Sequence, residues 1–148
     1  MRRDITYKDM LIDDLQHLNR WRYSIEQASE ELLTLDAEYT AIKATNYDKM
    51  PSGSGGNVQE EKLITIIARK DELSKVTEAN KRKVKDMERL LKKLPDDDRR
   101  LIERMVINGE HADRIAADLG YERRQVYNKR NHALALLASY RWGVAFHA

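Results

Sequence analysis

Between positions 123 and 130 the chain places Arg123, Arg124, Gln125, Asn128, Lys129 and Arg130. These side chains can act together. Guanidinium and carboxamide groups form paired hydrogen bonds with the edges of guanine and adenine, and cationic groups neutralise phosphate. On a helix whose Val126, Ala133 and Leu137 turn inward, Arg123, Arg124, Gln125, Asn128 and Lys129 point out. Residues 121–141 hold five basic side chains against Glu122 alone, so positive potential is focused there. Such a face suits a DNA major groove. Arg123, Arg124 and Gln125, at the start of the helix, are the expected base contacts, and Lys129 is the expected phosphate contact. Arg130, one turn before the inward Leu134, packs part of its stem. Charged helix faces are most often merely solvated; the segment before this one sets it apart.

That segment is Arg114-Ile115-Ala116-Ala117-Asp118-Leu119-Gly120. Ile115, Ala116 and Leu119 form one apolar face of a helix over 110–119, and Gly120 supplies the positive φ that ends it. With the helix over 123–140 this spells a helix-turn-helix. A further short helix precedes it. Pro95 suits its first turn, and Asp96, Asp97 and Asp98 complement its positive end. Leu101, Ile102, Met105 and Val106 give it an inner face, and Asn108-Gly109 closes it.

Two longer patterns lie upstream. Leu11, Leu15, Leu18, Ile25, Ala28, Leu32, Leu35, Tyr39 and Ile42 recur at steps of three and four, with one step skipped at Arg22, and predict a helix over 6–44. Residues 46–57, with Pro51 and a Ser/Gly run, predict a connecting loop. Leu63, Ile66, Leu73, Val76, Asn80, Val84, Met87, Leu91 and Leu94 predict a second helix over 58–94. The run Lys81-Arg82-Lys83-Val84-Lys85 reads as its solvated side, with a contact to nucleic acid or to an acidic protein surface as the alternative. The expected fold is all-α: a long antiparallel helical hairpin (1–93, loop 46–57) followed by a C-terminal helix-turn-helix domain (94–148). Two helices bury little surface by themselves, so the arm is expected to find a partner: the C-terminal module, a second copy in a homo-oligomer, or another protein.

Other chemistry finds little footing. The chain lacks cysteine, which excludes disulfides and thiolate sites. No apolar run approaches a membrane span, and Met1-Arg2-Arg3-Asp4 lacks the apolar core of a signal peptide, so a cytoplasmic location without membrane contact is expected. His17, His111, His132 and His147 are isolated from one another, and the Asp96–Asp98 acids are better explained by the helix dipole than by a cation, so neither a metal site nor a cofactor is expected. Gly53-Ser54-Gly55-Gly56 lacks the lysine of a phosphate-binding loop, and no nucleophile–base set stands out; the chain is expected not to be an enzyme. Trp142 and Phe146 end the chain in a short apolar tail that either folds back on the module or meets a partner subunit.

Leu94-Pro95, Arg99, Ile102, Gly109, Ile115-Ala116, Leu119-Gly120, Val126, Arg130, Ala133 and Leu137 resemble region 4 of the bacterial sigma-70 family. That resemblance implies a helix packed behind a recognition helix that reads a promoter element. Glu122 departs from it, standing where the family has a capping serine. The remainder has no counterpart of sigma region 2. The whole chain instead is similar to small phage regulators of the ArpU/RinA type, through its N-terminal helix, the Met50-Pro51-Ser52-Gly53-Ser54-Gly55 stretch and the C-terminal module. This second resemblance implies an activator of late phage genes that binds double-stranded DNA and works with host RNA polymerase. A packaging protein of the small-terminase kind, and a non-DNA adaptor docking on RNA polymerase, are the alternatives.

Overall fold

A computed structural model describes residues 6–48 and 56–143. The centre of the expected loop, with Pro51, Gly53, Ser54 and Gly55, lies outside the described residues, as do Val144, Ala145, Phe146 and His147. The described residues are all helical, without strands: α1 (Tyr7–Asp48), α2 (Gly56–Lys92), α3 (Asp96–Ile102) continued by a π-helical segment (Glu103–Ile107), α4 (Ala112–Leu119) and α5 (Arg123–Trp142). Helix extends into both ends of the expected loop, since α1 reaches Asp48 and α2 begins at Gly56. Among the described residues no helix is long and apolar enough to cross a membrane.

The chain divides into two compact units, residues 22–82 and residues 1–21 with 83–148. In the unit 22–82, contacts pair α1 and α2 in antiparallel order. Asn80 donates to Ser24 Oγ at 3.1 Å, Arg69 pairs with Glu31 at 3.0 and 3.1 Å, and Lys70 pairs with Asp36. Burial is thin. Ala28, Ile66, Leu73 and Thr77 are enclosed, while Leu33, Ile64 and Ile67 stay exposed. The inner stripe of α2 runs Ile66, Lys70, Leu73, Thr77, Asn80, alternating steps of four and three as in paired helices. The expected Val76 is one position off that register and stands 46% exposed; Thr77 takes its place. Thr77 Oγ1 is buried without a hydrogen-bond partner among the described residues.

The unit of 1–21 with 83–148 holds two cores. The larger joins Leu11, Leu15 and Leu18 of α1 and Met87, Leu91 and Leu94 of the α2 end to Ile102, Val106, Ala133, Leu134, Leu137 and Ala138. Trp21 packs against it, so the step expected at Arg22 is filled one residue earlier. Trp142 also packs there, with its ring 5.1 Å from that of Tyr7. The tail residue Trp142 therefore folds back on its own chain. The smaller core is Leu101, Ala112, Ile115, Ala116 and Val126, with Met105 and Tyr127 against it.

α3 and its π segment serve both cores. Leu101 and Met105 point to the smaller, Ile102 and Val106 to the larger. The π turn closes with Asn108 N–H donating to Glu103 O at 2.9 Å, and Gly109 at φ 68° ends it. Two sequence expectations are corrected next to this point. The following helix begins at Ala112, because Glu110 is drawn aside to Arg104 and His111 is extended (ψ 138°) at the N-cap. Leu119 is 48% exposed; at the last turn of α4 nothing covers it, and the inner face of that helix is Ala112, Ile115 and Ala116.

Candidate functional site

The start of α5 is fixed from three sides. First, Gly120 sits at φ 70°, ψ 28°, and Tyr121 N–H reaches back to Ala116 O at 3.0 Å, which satisfies a carbonyl at the end of α4. A left-handed residue reverses the chain tightly enough for α5 to begin three positions later. Second, Val126 is fully buried against Ile115 and Ala116, so the first turn of α5 is anchored by its inner side. Third, Gln125 Oε1 accepts the Glu122 N–H at 2.9 Å, half of a capping box. Glu122 is thus held in place as the N-cap residue although it is not the serine of the resembling family.

An ion-pair hub fixes α4 from behind. Arg104 donates two hydrogen bonds to Glu110, at 2.8 and 3.1 Å, and a third to Asp118 at 2.6 Å. These bonds hold the guanidinium more firmly protonated than usual, and in return the Arg104 hydrogen bonds hold the Glu110 carboxyl below its ordinary range. Asp113 is engaged by Arg123, with Nε 3.6 Å away. The two carboxylates of α4 are therefore each matched by a cation, Asp118 by Arg104 and Asp113 by Arg123.

The six expected residues do not share one role. Arg124 and Asn128 are exposed, one helical turn apart, and have no partner among the described residues. Lys129 is exposed, with Nζ 5.0 Å from the Tyr121 ring centre, and borders a cleft shared with Asp97, Asp98, Leu119 and Tyr121. Gln125 lies beside them, with its oxygen committed to the cap and its amide N–H groups uncommitted. Arg123 and Arg130 flank the Tyr127 ring, at 5.8 and 5.2 Å. A hydrogen bond with Tyr127 and the Asp113 charge hold Arg123 more firmly protonated than usual. Arg130 is half-buried and donates to Asn131 Oδ1 at 3.1 Å, an oxygen that also accepts from Lys8 at 3.2 Å. The structure thus gathers Arg124, Gln125, Asn128 and Lys129 on one outward face and sets Arg123 and Arg130 against Tyr127.

Two residues on or beside this face were not among those expected. His132 is exposed one turn beyond Asn128, so Arg124, Asn128 and His132 form a row at i, i+4 and i+8. That spacing alone could have found it. Tyr121, 38% exposed at the head of α5, depends on the shape of the Gly120 turn and left no periodic signal.

A family model described as a protein of unknown function (DUF1492) matches residues 43–138, more than half of the chain, and the chain belongs to that family. No curated protein and no solved structure matches it.

Proposed function

We propose that this DUF1492 member is a sequence-specific DNA-binding regulator of transcription, with α4 and α5 acting as a helix-turn-helix and α5 as the recognition helix. The observation that carries this reading is the row of unpartnered donors on α5, Arg124 and Asn128 with Lys129 alongside, directly after a left-handed Gly120 turn. A guanidinium and a carboxamide one turn apart match the donor and acceptor pattern of adjacent base pairs in a major groove. The resemblance of residues 94–140 to sigma region 4 supports the same reading, and the similarity of the whole chain to phage regulators of the ArpU/RinA type extends it to work beside host RNA polymerase at phage late promoters.

In this reading Arg124 reads a base and Lys129 holds phosphate. Arg123 and Arg130 brace the helix through Tyr127 and contribute mainly to the local potential. The exposed Leu33, Ile64 and Ile67 of the unit 22–82 support a homo-oligomer, which would set two recognition helices on repeated half-sites. The test is fluorescence anisotropy on a selected duplex and on a random one. Arg124→Ala is expected to lose about 1–3 kcal/mol on the selected duplex and little on the random one. Lys129→Ala is expected to weaken both alike and to flatten the plot of log affinity against log salt by ~0.9. Equal binding of both duplexes by the unaltered chain would overturn sequence specificity. Equal behaviour of both variants and the unaltered chain would remove α5 from the interface.

A further inference from the structure

The end of α2, within the unit of 1–21 with 83–148, carries a second concentration of charge. Lys85, Arg89, Lys92 and Lys93 are all exposed. Met87, Leu91 and Leu94 are buried on the opposite side of the same turns, so the helix directs the four cations outward together. None of the four is ion-paired among the described residues. Lys83 and Arg141 nearby are used differently. Lys83 lies 5.3 Å from the Trp21 ring centre, and Arg141 binds Asp14 at 2.7 Å.

Lys85 with Arg89, Arg89 with Lys92, and Arg89 with Lys93 are like-charge neighbours at three or four residues, while Asp86 with Arg89, Lys85 with Glu88 and Glu88 with Lys92 are opposite-charge neighbours at the same spacings. Over residues 81–93 seven basic side chains stand against Asp86 and Glu88, so the segment keeps a strong net positive charge. The negative end of the helix dipole favours Arg89 and Lys92 in the last turn, but that effect fades before Lys85, seven residues from the end. Every exposed residue from 81 to 93 is charged, and lysine, which protein interfaces disfavour, predominates; Tyr140, 40% exposed, stands at the edge of the adjoining cleft. Rows of point charges of this kind match a polyanionic backbone.

Its place on the fold separates it from the face already described. Arg89 and Lys93 border a cleft with Asp86, Leu90, Tyr140 and Arg141, at the far end of α5 from Arg124. From Arg124 to Tyr140 the helix rises ~24 Å. At ~100° per residue Tyr140 and Arg141 also project from the side of α5 away from Arg124 and Asn128, so the α2 face meets phosphates other than those bordering the recognition contacts.

We propose that Lys85, Arg89, Lys92 and Lys93 form a second, sequence-independent contact with the phosphate backbone of double-stranded DNA. The inference rests on DNA being the ligand, but not on α5 reading sequence. The experiment measures the affinity of the full chain for a random-sequence duplex of about four helical turns, as a function of salt. It compares the unaltered chain with the triple variant Lys85→Ala, Arg89→Ala, Lys93→Ala, and with the charge-matched control Lys43→Ala, Lys62→Ala, Lys75→Ala. Arg124→Ala is run beside them. The replaced residues are exposed, and thermal midpoints confirm folding before binding is read. The expected result is a slope shallower by about two to three units in the α2 variant, at ~0.9 per phosphate lost, and an unchanged slope in the control. An α2 variant that matches the unaltered chain overturns the inference while leaving the α5 reading in place. A loss shared equally by the control reduces it to net charge and also overturns it. Arg124→Ala is also measured on the selected duplex; if the α2 variant loses slope while Arg124→Ala is harmless there as well, the inference stands and the α5 reading falls. A chain that binds no DNA overturns both.

Discussion

Replacing Gly120 by alanine isolates the conformational cost of the α4–α5 turn. Gly120 is left-handed at φ 70°, and a Cβ built on it meets nothing within 4 Å. No neighbour has to move, so the whole penalty comes from the backbone. Alanine in the left-handed region costs about 1–2 kcal/mol. Against this, alanine restricts the unfolded chain and returns about 0.4–1 kcal/mol. The net expected loss is about 1 kcal/mol, read by urea denaturation of the unaltered chain and of Gly120→Ala. At about 2–4 °C per kcal/mol for a chain of this length, the thermal midpoint should fall by a few degrees. Gly120→Asn should lose less, because asparagine tolerates the left-handed region. Helix content should be the same in all three proteins. Loss of more than about 3 kcal/mol would mean that the turn is sterically closed. Equal losses for asparagine and alanine would mean that positive φ is not what the position requires.

Two further outcomes follow from the same core and hub. Ile115 is fully buried between Ala112 and Ala116, which are too short to fill the space it would leave; Ile115→Ala should cost about 2–5 kcal/mol in denaturation, and a loss near zero would contradict the smaller core. The lowered pKa of Glu110 makes stability depend on pH. Because the folded state holds this carboxyl below its unfolded value, the contribution is complete above the unfolded pKa, ~4.3 for glutamate, and is lost as pH falls through the folded value. The unaltered chain should therefore be more stable than Glu110→Gln at neutral pH, with the gap narrowing below about pH 4; a gap that stays constant from pH 7 to 3 would show that the Arg104–Glu110 pair is not the cause.

Much of this architecture is legible in the chain because helices repeat. The stripes of Leu11, Leu15 and Leu18, and of Met87, Leu91 and Leu94, name their own buried faces, and Gly120 marks its turn. The misplacements share one cause: a spacing of three or four residues does not fix the register until the partner helix is known. Val76 and Thr77 fit the pattern almost equally well, and only the contacts of α1 select Thr77. Leu119 looks like a core residue by spacing, yet no element reaches over the end of α4 to cover it. The outward residues of α5 were legible as a group, but their separate duties were not. Gln125 is drawn to the cap by the backbone of Glu122, and Arg123 and Arg130 are drawn to Tyr127. Such contacts depend on rotamers and on neighbouring elements, which periodicity does not encode.

The central claim is that the outer face of α5 reads DNA sequence. Its most direct test is selection of bound duplexes from a random-sequence library by the full chain, repeated with Arg124→Ala and Asn128→Ala. The account predicts that the unaltered chain enriches one motif, and that each variant relaxes the preference at its own position within that motif while binding unselected DNA nearly as before. Failure to enrich any motif, or enrichment of the same motif at full strength by both variants, would contradict it.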